Sequence, residues 1–156
     1  MDTDLAELAS TIEREIVLAR VFDAPREVVF DAWVSDDIGA WFGPNGFTCT
    51  THERDVRPGG TWRFDLIAPD GQVFPNRVVY REVTPPSRLV FDHGSDVDDG
   101  HEFLVTVTFD EQTDGKTVLT MRQLHPTKEQ RDATVGFGAV ELGYQTLGKL
   151  DARLHI

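Results

Sequence analysis

The chain has 156 residues, 40% of them hydrophobic, with 15 basic and 27 acidic side chains and a net charge of −12. That length supports one domain able to bury its own core, and the apolar content excludes a disordered chain. Lys and Arg are scattered singly, without the basic stripe that nucleic acid or an anionic membrane surface requires, and no stretch nears the roughly 20 apolar residues of a membrane span.

The first residues, Met1-Asp2-Thr3-Asp4, are acidic and lack the layout of a secretion signal. Cys49 is the one cysteine and leaves no internal disulfide, so a cytoplasmic location is expected. Leu5, Leu8 and Ile12 recur at helical spacing, and residues 1–13 read as an N-terminal arm, frayed or docked, ahead of a single domain over 14–156.

The first strand is expected from Arg14 to Phe22. Pro25 and Glu27 suit the start of a short helix whose buried stripe reads Val28, Val29, Ala32 and Trp33. Ser35 caps a second short helix leading into Ile38, Trp41 and Phe42, and Gly43-Pro44-Asn45-Gly46 stops it. Strands follow over Phe47–Asp55, Thr61–Ala68, Gln72–Thr84, Arg88–His93, Glu102–Asp110 and Thr117–Leu124, with turns at 57–60, 69–71, 85–87 and 113–116. Pro75 and Asn76 suggest an edge or a bulge in the third of these strands.

Thr127-Lys128-Glu129-Gln130 fits a capping box, and one long helix is expected from there to about Arg153. Its apolar band comprises Val140, Tyr144, Leu147 and Leu154, with Val135, Ala139, Leu142 and Leu150 beside them. Glycines 136, 138, 143 and 148 fall inside it, each costing roughly 1 kcal/mol against alanine. Either the backbone approaches the sheet closely there or space is left beneath the helix. Strands joined in sequence by short turns make an antiparallel sheet, and the wide-faced helix covers its apolar side. The fold class is α+β: a curved antiparallel sheet of about seven strands, two short helices after strand one, and a long C-terminal helix across the sheet.

Residues 24–33 (Ala-Pro-Arg-Glu-Val-Val-Phe-Asp-Ala-Trp) and Trp41-Phe42-Gly43-Pro44 resemble the opening of the START-like, helix-grip superfamily. Residues 57–64 (Arg-Pro-Gly-Gly-Thr-Trp-Arg-Phe), Asp70-Gly71 and residues 82–91 (Glu-Val-Thr-Pro-Pro-Ser-Arg-Leu-Val-Phe) resemble its branch named after the activator of heat-shock protein 90 ATPase, over roughly 14–153. The resemblance implies an apolar cavity between sheet and long helix, but no single activity, since the superfamily holds carriers, cyclases and proteins without known ligand. Val78 stands where many members carry glycine and is expected to narrow that cavity.

Several groups invite a chemical reading. His93 and His101 with Asp96, Asp98 and Asp99 make the best metal constellation, but a charge run of this kind reads as a solvated loop, and no metal is expected. Cys49 is read as a small strand residue, with His52 on the opposite face. Gly136-Phe137-Gly138 does not continue into a dinucleotide fingerprint, so no cofactor is expected. Glu82 and Tyr80 share a strand face; there Glu82 is either a cavity carboxylate of raised pKa or the partner of Arg77, Arg81 or Arg88.

Trp62, Phe64, Tyr80, Phe91, Phe103, Phe137 and Tyr144 are the candidate cavity wall. The favoured function is non-covalent binding of an apolar or aromatic small molecule. The alternatives are an enzyme of cyclase or aromatase type using Glu82, Tyr80 or His93, and a chaperone-associated interaction module; a homodimer is left open.

Overall fold

In the computed structural model, which describes residues 2–155, seven antiparallel strands form one open sheet. Met1 and Ile156, the outer ends of the expected arm and domain, lie outside the described residues. The strands are β1 (Glu15–Phe22), β2 (Thr48–Arg54), β3 (Thr61–Ile67), β4 (Val73–Thr84), β5 (Arg88–Ser95), β6 (Phe103–Glu111) and β7 (Thr117–Leu124). Their order across the sheet is β1-β7-β6-β5-β4-β3-β2. Short turns make β2 to β7 a meander, and β7 closes on β1 in full register from Glu15 opposite Leu124 to Phe22 opposite Thr117.

The chain crosses from one sheet edge to the other through α2 (Arg26–Val34) and a 3₁₀ helix, Asp36–Ala40. The N–H groups of Val28 and Val29 donate to the Pro25 carbonyl, and Ser35 Oγ accepts from the Asp37 N–H, so both expected starts are in place. The buried stripe of α2 differs from the expected one. Val28 is exposed, and Phe30 takes the inward position with its ring edge-on to Phe109 at 5.1 Å. Trp33 meets Trp41 at the same distance, joining the two short helices.

The N-terminal segment is a helix, α1 (Asp2–Arg14), that leaves Leu5, Leu8 and Ile12 exposed. Its end is tied down: the His125 N–H donates to the Arg14 carbonyl, and Arg14 Nη1 donates back to the His125 carbonyl at 3.0 Å.

The single C-terminal helix is in fact two, α3 (Lys128–Gly136) and α4 (Ala139–Leu154). Gly138 sits at φ +95°, a left-handed conformation that interrupts helical bonding and that glycine adopts at little steric cost. The remaining glycines divide between the two explanations weighed for them. A Cβ on Gly143 would lie 2.5 Å from Leu18 Cδ1, so α4 presses on β1 there, whereas one on Gly136 would meet nothing within 4 Å. Beyond Gly143, ion pairs hold α4 in place: Arg20 to Asp151 at 3.2 Å and Arg153 to Asp37 at 2.7 Å.

Alternation along the strands delivers the core. Trp62 and Phe64, Leu89 and Phe91, and Val105, Val107 and Phe109 all point to the face that α4 covers with Leu147 and Leu150. Val78 is buried opposite Trp62 on one side and His93 on the other. A register shift between Tyr80 and Glu82 interrupts this alternation in β4. The extra residue, Arg81, restarts the pattern one position late, so Val83 packs on the core and Glu82 does not.

Candidate functional site

Between the sheet and the first half of α4 lies a hollow of about 170 Å³. Phe91 and His93 of β5, Phe103 and Val105 of β6, and Met121 and Gln123 of β7 form its floor. Leu142, Gly143, Thr146 and Leu147 of α4 roof it, and Trp33, Phe42, Leu66 and Phe137 close its sides. The floor follows from strand parity: Leu89, Phe91 and His93 share one face of β5, as Leu119, Met121 and Gln123 share one face of β7.

One end is pinned. Gly43 and Pro44 line the hollow, and their loop is fastened to α4 by Lys149, whose Nζ donates to the Pro44 and Phe47 carbonyls at 3.3 Å. Burial lowers the Lys149 pKa. The Asn45 N–H donates to Gln145 Oε1 at 3.1 Å.

At the other end the hollow adjoins a wider chamber of about 370 Å³ lined by Asn76, His101, His125, Gln130 and Thr134. His93, Phe103, Gln123, Phe137 and Ala139 belong to the walls of both. Phe137, at the break between α3 and α4, is 68% exposed and stands at this junction. The outer face of the sheet carries a groove of equal volume to the hollow, but Arg77, Asp92, Asp98 and Glu102 line it beside Val79 and Val97, so its wall is mixed rather than predominantly apolar.

His93 is enclosed by rings, with Phe103, Phe64 and Phe42 at 5.1, 5.9 and 6.3 Å. Part of its surface faces the cavity space while protein surrounds the rest, and that desolvation lowers its pKa to about 4. His93 Nε2 lies 2.9 Å from Asn76 Oδ1, and Asn76 Nδ2 donates to the Phe74 carbonyl at 2.8 Å. A carbonyl only accepts, which fixes the Asn76 amide; Oδ1 then accepts from His93 Nε2, and the lone pair of the neutral ring sits on Nδ1.

The other acid–base candidates lie elsewhere. Glu82 faces away from the hollow, 3.3 Å from Arg88, and accepts a hydrogen bond from the Thr84 hydroxyl. Tyr80 is buried with its hydroxyl accepting from Arg54 Nη1 at 3.2 Å; burial raises its pKa and the Arg54 charge opposes the rise.

Of the remaining candidate wall, Phe91, Phe103 and Phe137 line the hollow. Trp62 and Phe64 stack on each other at 3.8 Å in the core beside it. Tyr144 turns to the sheet edge, where its hydroxyl accepts from the Ala19 N–H at 3.4 Å.

The acidic loop is held by arginines. Asp96 receives Arg63 at 2.9 Å and Arg77 at 3.4 Å, and Asp98 receives Arg77 at 2.9 Å. No group of three His, Cys, Asp or Glu side chains among the described residues is placed to share a metal ion. Burial pushes the Cys49 thiol up to about 11, which leaves it protonated and inert. His52 pairs with Asp65 at 2.7 Å.

Sequence reasoning overlooked Gln123, His125 and Gln130 as wall residues. For Gln123 the signal was present, since a polar side chain continues the inward series Leu119 and Met121.

A family model described as activator of Hsp90 ATPase homolog 1-like protein matches residues 23–155. Among solved structures, a protein of Chromobacterium violaceum is 27% identical with a TM-score of 0.77, over 88% of this chain and 95% of that one. A protein of Silicibacter pomeroyi is 28% identical with a TM-score of 0.70, over 90% and 97% of the two chains. One from Arthrobacter aurescens, at 21% identity, shares the fold with a TM-score of 0.84 over 93% and 88%. No curated protein matches the chain.

Proposed function

The chain belongs to the activator of Hsp90 ATPase homolog 1-like family, and on that premise we propose that it binds an apolar or aromatic small molecule, non-covalently, in the hollow between sheet and α4. The observation that carries this reading is the hollow itself, about 170 Å³ with an almost wholly apolar wall. An apolar cavity of roughly 150 Å³ in another protein stays dry and accepts benzene, so a single ring is the natural size of occupant for the inner chamber. Burying such a ring removes apolar surface from water on both ligand and wall, which supplies the affinity without any covalent step.

The test is calorimetric titration with toluene. Saturable binding with a dissociation constant on the order of 1 mM or tighter is expected for so small a ligand. Leu142→Trp, which fills the space from the roof, is expected to abolish it. Absence of binding to the unaltered protein, or equal binding to the filled variant, would overturn the reading.

A further inference from the structure

The junction of the two chambers carries hydrogen-bonding groups that the protein leaves unused. His93 and Gln123 line both chambers. The His93 ring is neutral, with its Nε2 proton given to Asn76 and the Nδ1 lone pair free of that bond. The Gln123 side-chain amide makes no hydrogen bond to another described residue and is not among the buried polar groups left without a partner, so its donor and acceptor face open space.

The wall of the outer chamber uses its own hydrogen-bonding groups. Gln130 Nε2 donates to the His101 carbonyl at 2.7 Å, which fixes that atom as nitrogen, and it also lies 3.2 Å from His125 Nδ1. Nδ1 therefore accepts, and the proton of the neutral ring is on Nε2. His125 is 1% exposed, and its Nε2 has no partner. A buried N–H without an acceptor costs about 1–3 kcal/mol, but this one is sealed off from the chamber by its own burial and is not offered to a ligand there.

Charge at this end is sparse. The ionisable side chains on the walls of the two chambers are His93, His101, His125 and Asp99; neither the neutral His93 ring nor the Gln123 amide offers an opposite charge, so an ion of either sign seated between them loses hydration without a partner.

From this arrangement, and resting on the ligand-binding reading above, we infer that the ligand carries one uncharged hydrogen-bonding group, a hydroxyl or carboxamide, seated at the junction against His93 and Gln123 while its apolar body fills the inner hollow. The class is thus a neutral amphiphile of about one ring and a short polar arm, distinct from a pure hydrocarbon, a carboxylic acid or an amine.

Four compounds that share the phenylpropyl body separate the outcomes: propylbenzene, 3-phenylpropan-1-ol, 3-phenylpropanoate and 3-phenylpropylamine, each titrated at pH 7 by calorimetry. The alcohol is expected to bind about fivefold tighter than propylbenzene and tighter than either ion, a gain in the range of one net hydrogen bond. In Gln123→Leu, close in shape, the alcohol's affinity relative to propylbenzene measured in the same variant is expected to fall from about fivefold to about equal; His93→Phe is a second variant with the same expected ratio. Tighter binding of hydrocarbon or ion than of alcohol, or an undiminished preference in Gln123→Leu, would overturn the inference and leave the apolar hollow intact. Failure of all four compounds would overturn the ligand-binding reading as well.

Discussion

Arg54 is a closely held charge, its side chain 7% exposed. Nη2 donates to the carbonyls of Trp33 and Ser35 at 3.1 and 2.9 Å, Nη1 donates to Tyr80, and the guanidinium lies 4.9 Å from the Trp62 ring centre. It thereby satisfies the Trp33 carbonyl at the end of α2 and shares the Ser35 carbonyl with the Ile38 N–H. Asp36 is 3.6 Å from Nε, too far for a hydrogen bond, and almost fully exposed, so it adds little. Arg54→Met is expected to cost about 2–3 kcal/mol in urea unfolding, since bonds to a charged donor are lost and buried acceptors stay behind. Arg54→Lys is expected to recover less than half, for want of the planar fork.

His93 makes stability depend on pH with a definite sign. The folded pKa is about 4 and the unfolded value about 6.5, so between these the unfolded chain binds more protons. Its contribution is fully present above about pH 6.5, is lost as pH falls toward 4, and levels off below. The separation corresponds to roughly 3 kcal/mol. Melting curves between pH 7 and pH 4.5 are expected to fall less steeply for His93→Gln than for the parent; parallel curves would contradict the assignment. The residue's place was legible from the parity of β5, but its low pKa was not, because the burial behind it needs Phe42, from a distant part of the chain, as well as Phe103 of the next strand.

At the scale of elements, the order and approximate bounds of the strands and short helices follow local chemistry closely, whereas the C-terminal helix does not. The apolar band continued without interruption across 136–138, and periodicity alone carried no sign of a break. Gly138 was the available signal, since a left-handed residue ends a helix at little cost only when it is glycine. Gly138→Ala is expected to destabilise by about 1 kcal/mol, because alanine at φ +95° is strained. Gly136→Ala, with open space around its new methyl, is expected to be neutral or to stabilise by up to about 1 kcal/mol. Equal effects of the two in thermal unfolding would refute the distinct roles given to them. The β4 bulge is likewise invisible to periodicity. Strict alternation puts Tyr80 and Glu82 on one face, and the single extra residue Arg81 sends the carboxylate out to Arg88.

At the scale of the whole molecule, the hollow exists because the roof is held at one end and interrupted at the other. Arg20, Lys149 and Arg153 fasten the second half of α4 to β1, the 43–47 loop and the 3₁₀ helix. Near Phe137 the helix begins afresh, over a floor whose rings do not fill the gap. Neither the size of that gap nor its polar mouth is a property of any one segment. Each depends on how far α4 stands from β6 and β7, which close contact at Gly143 and Leu18 limits on one side only.

The most direct measurement is the electron density of a crystal of this protein soaked in toluene. A ring is expected between Phe103, Met121 and Leu142 without displacement of the sheet. Clear density for those three side chains packed against one another, with no toluene among them, would contradict it.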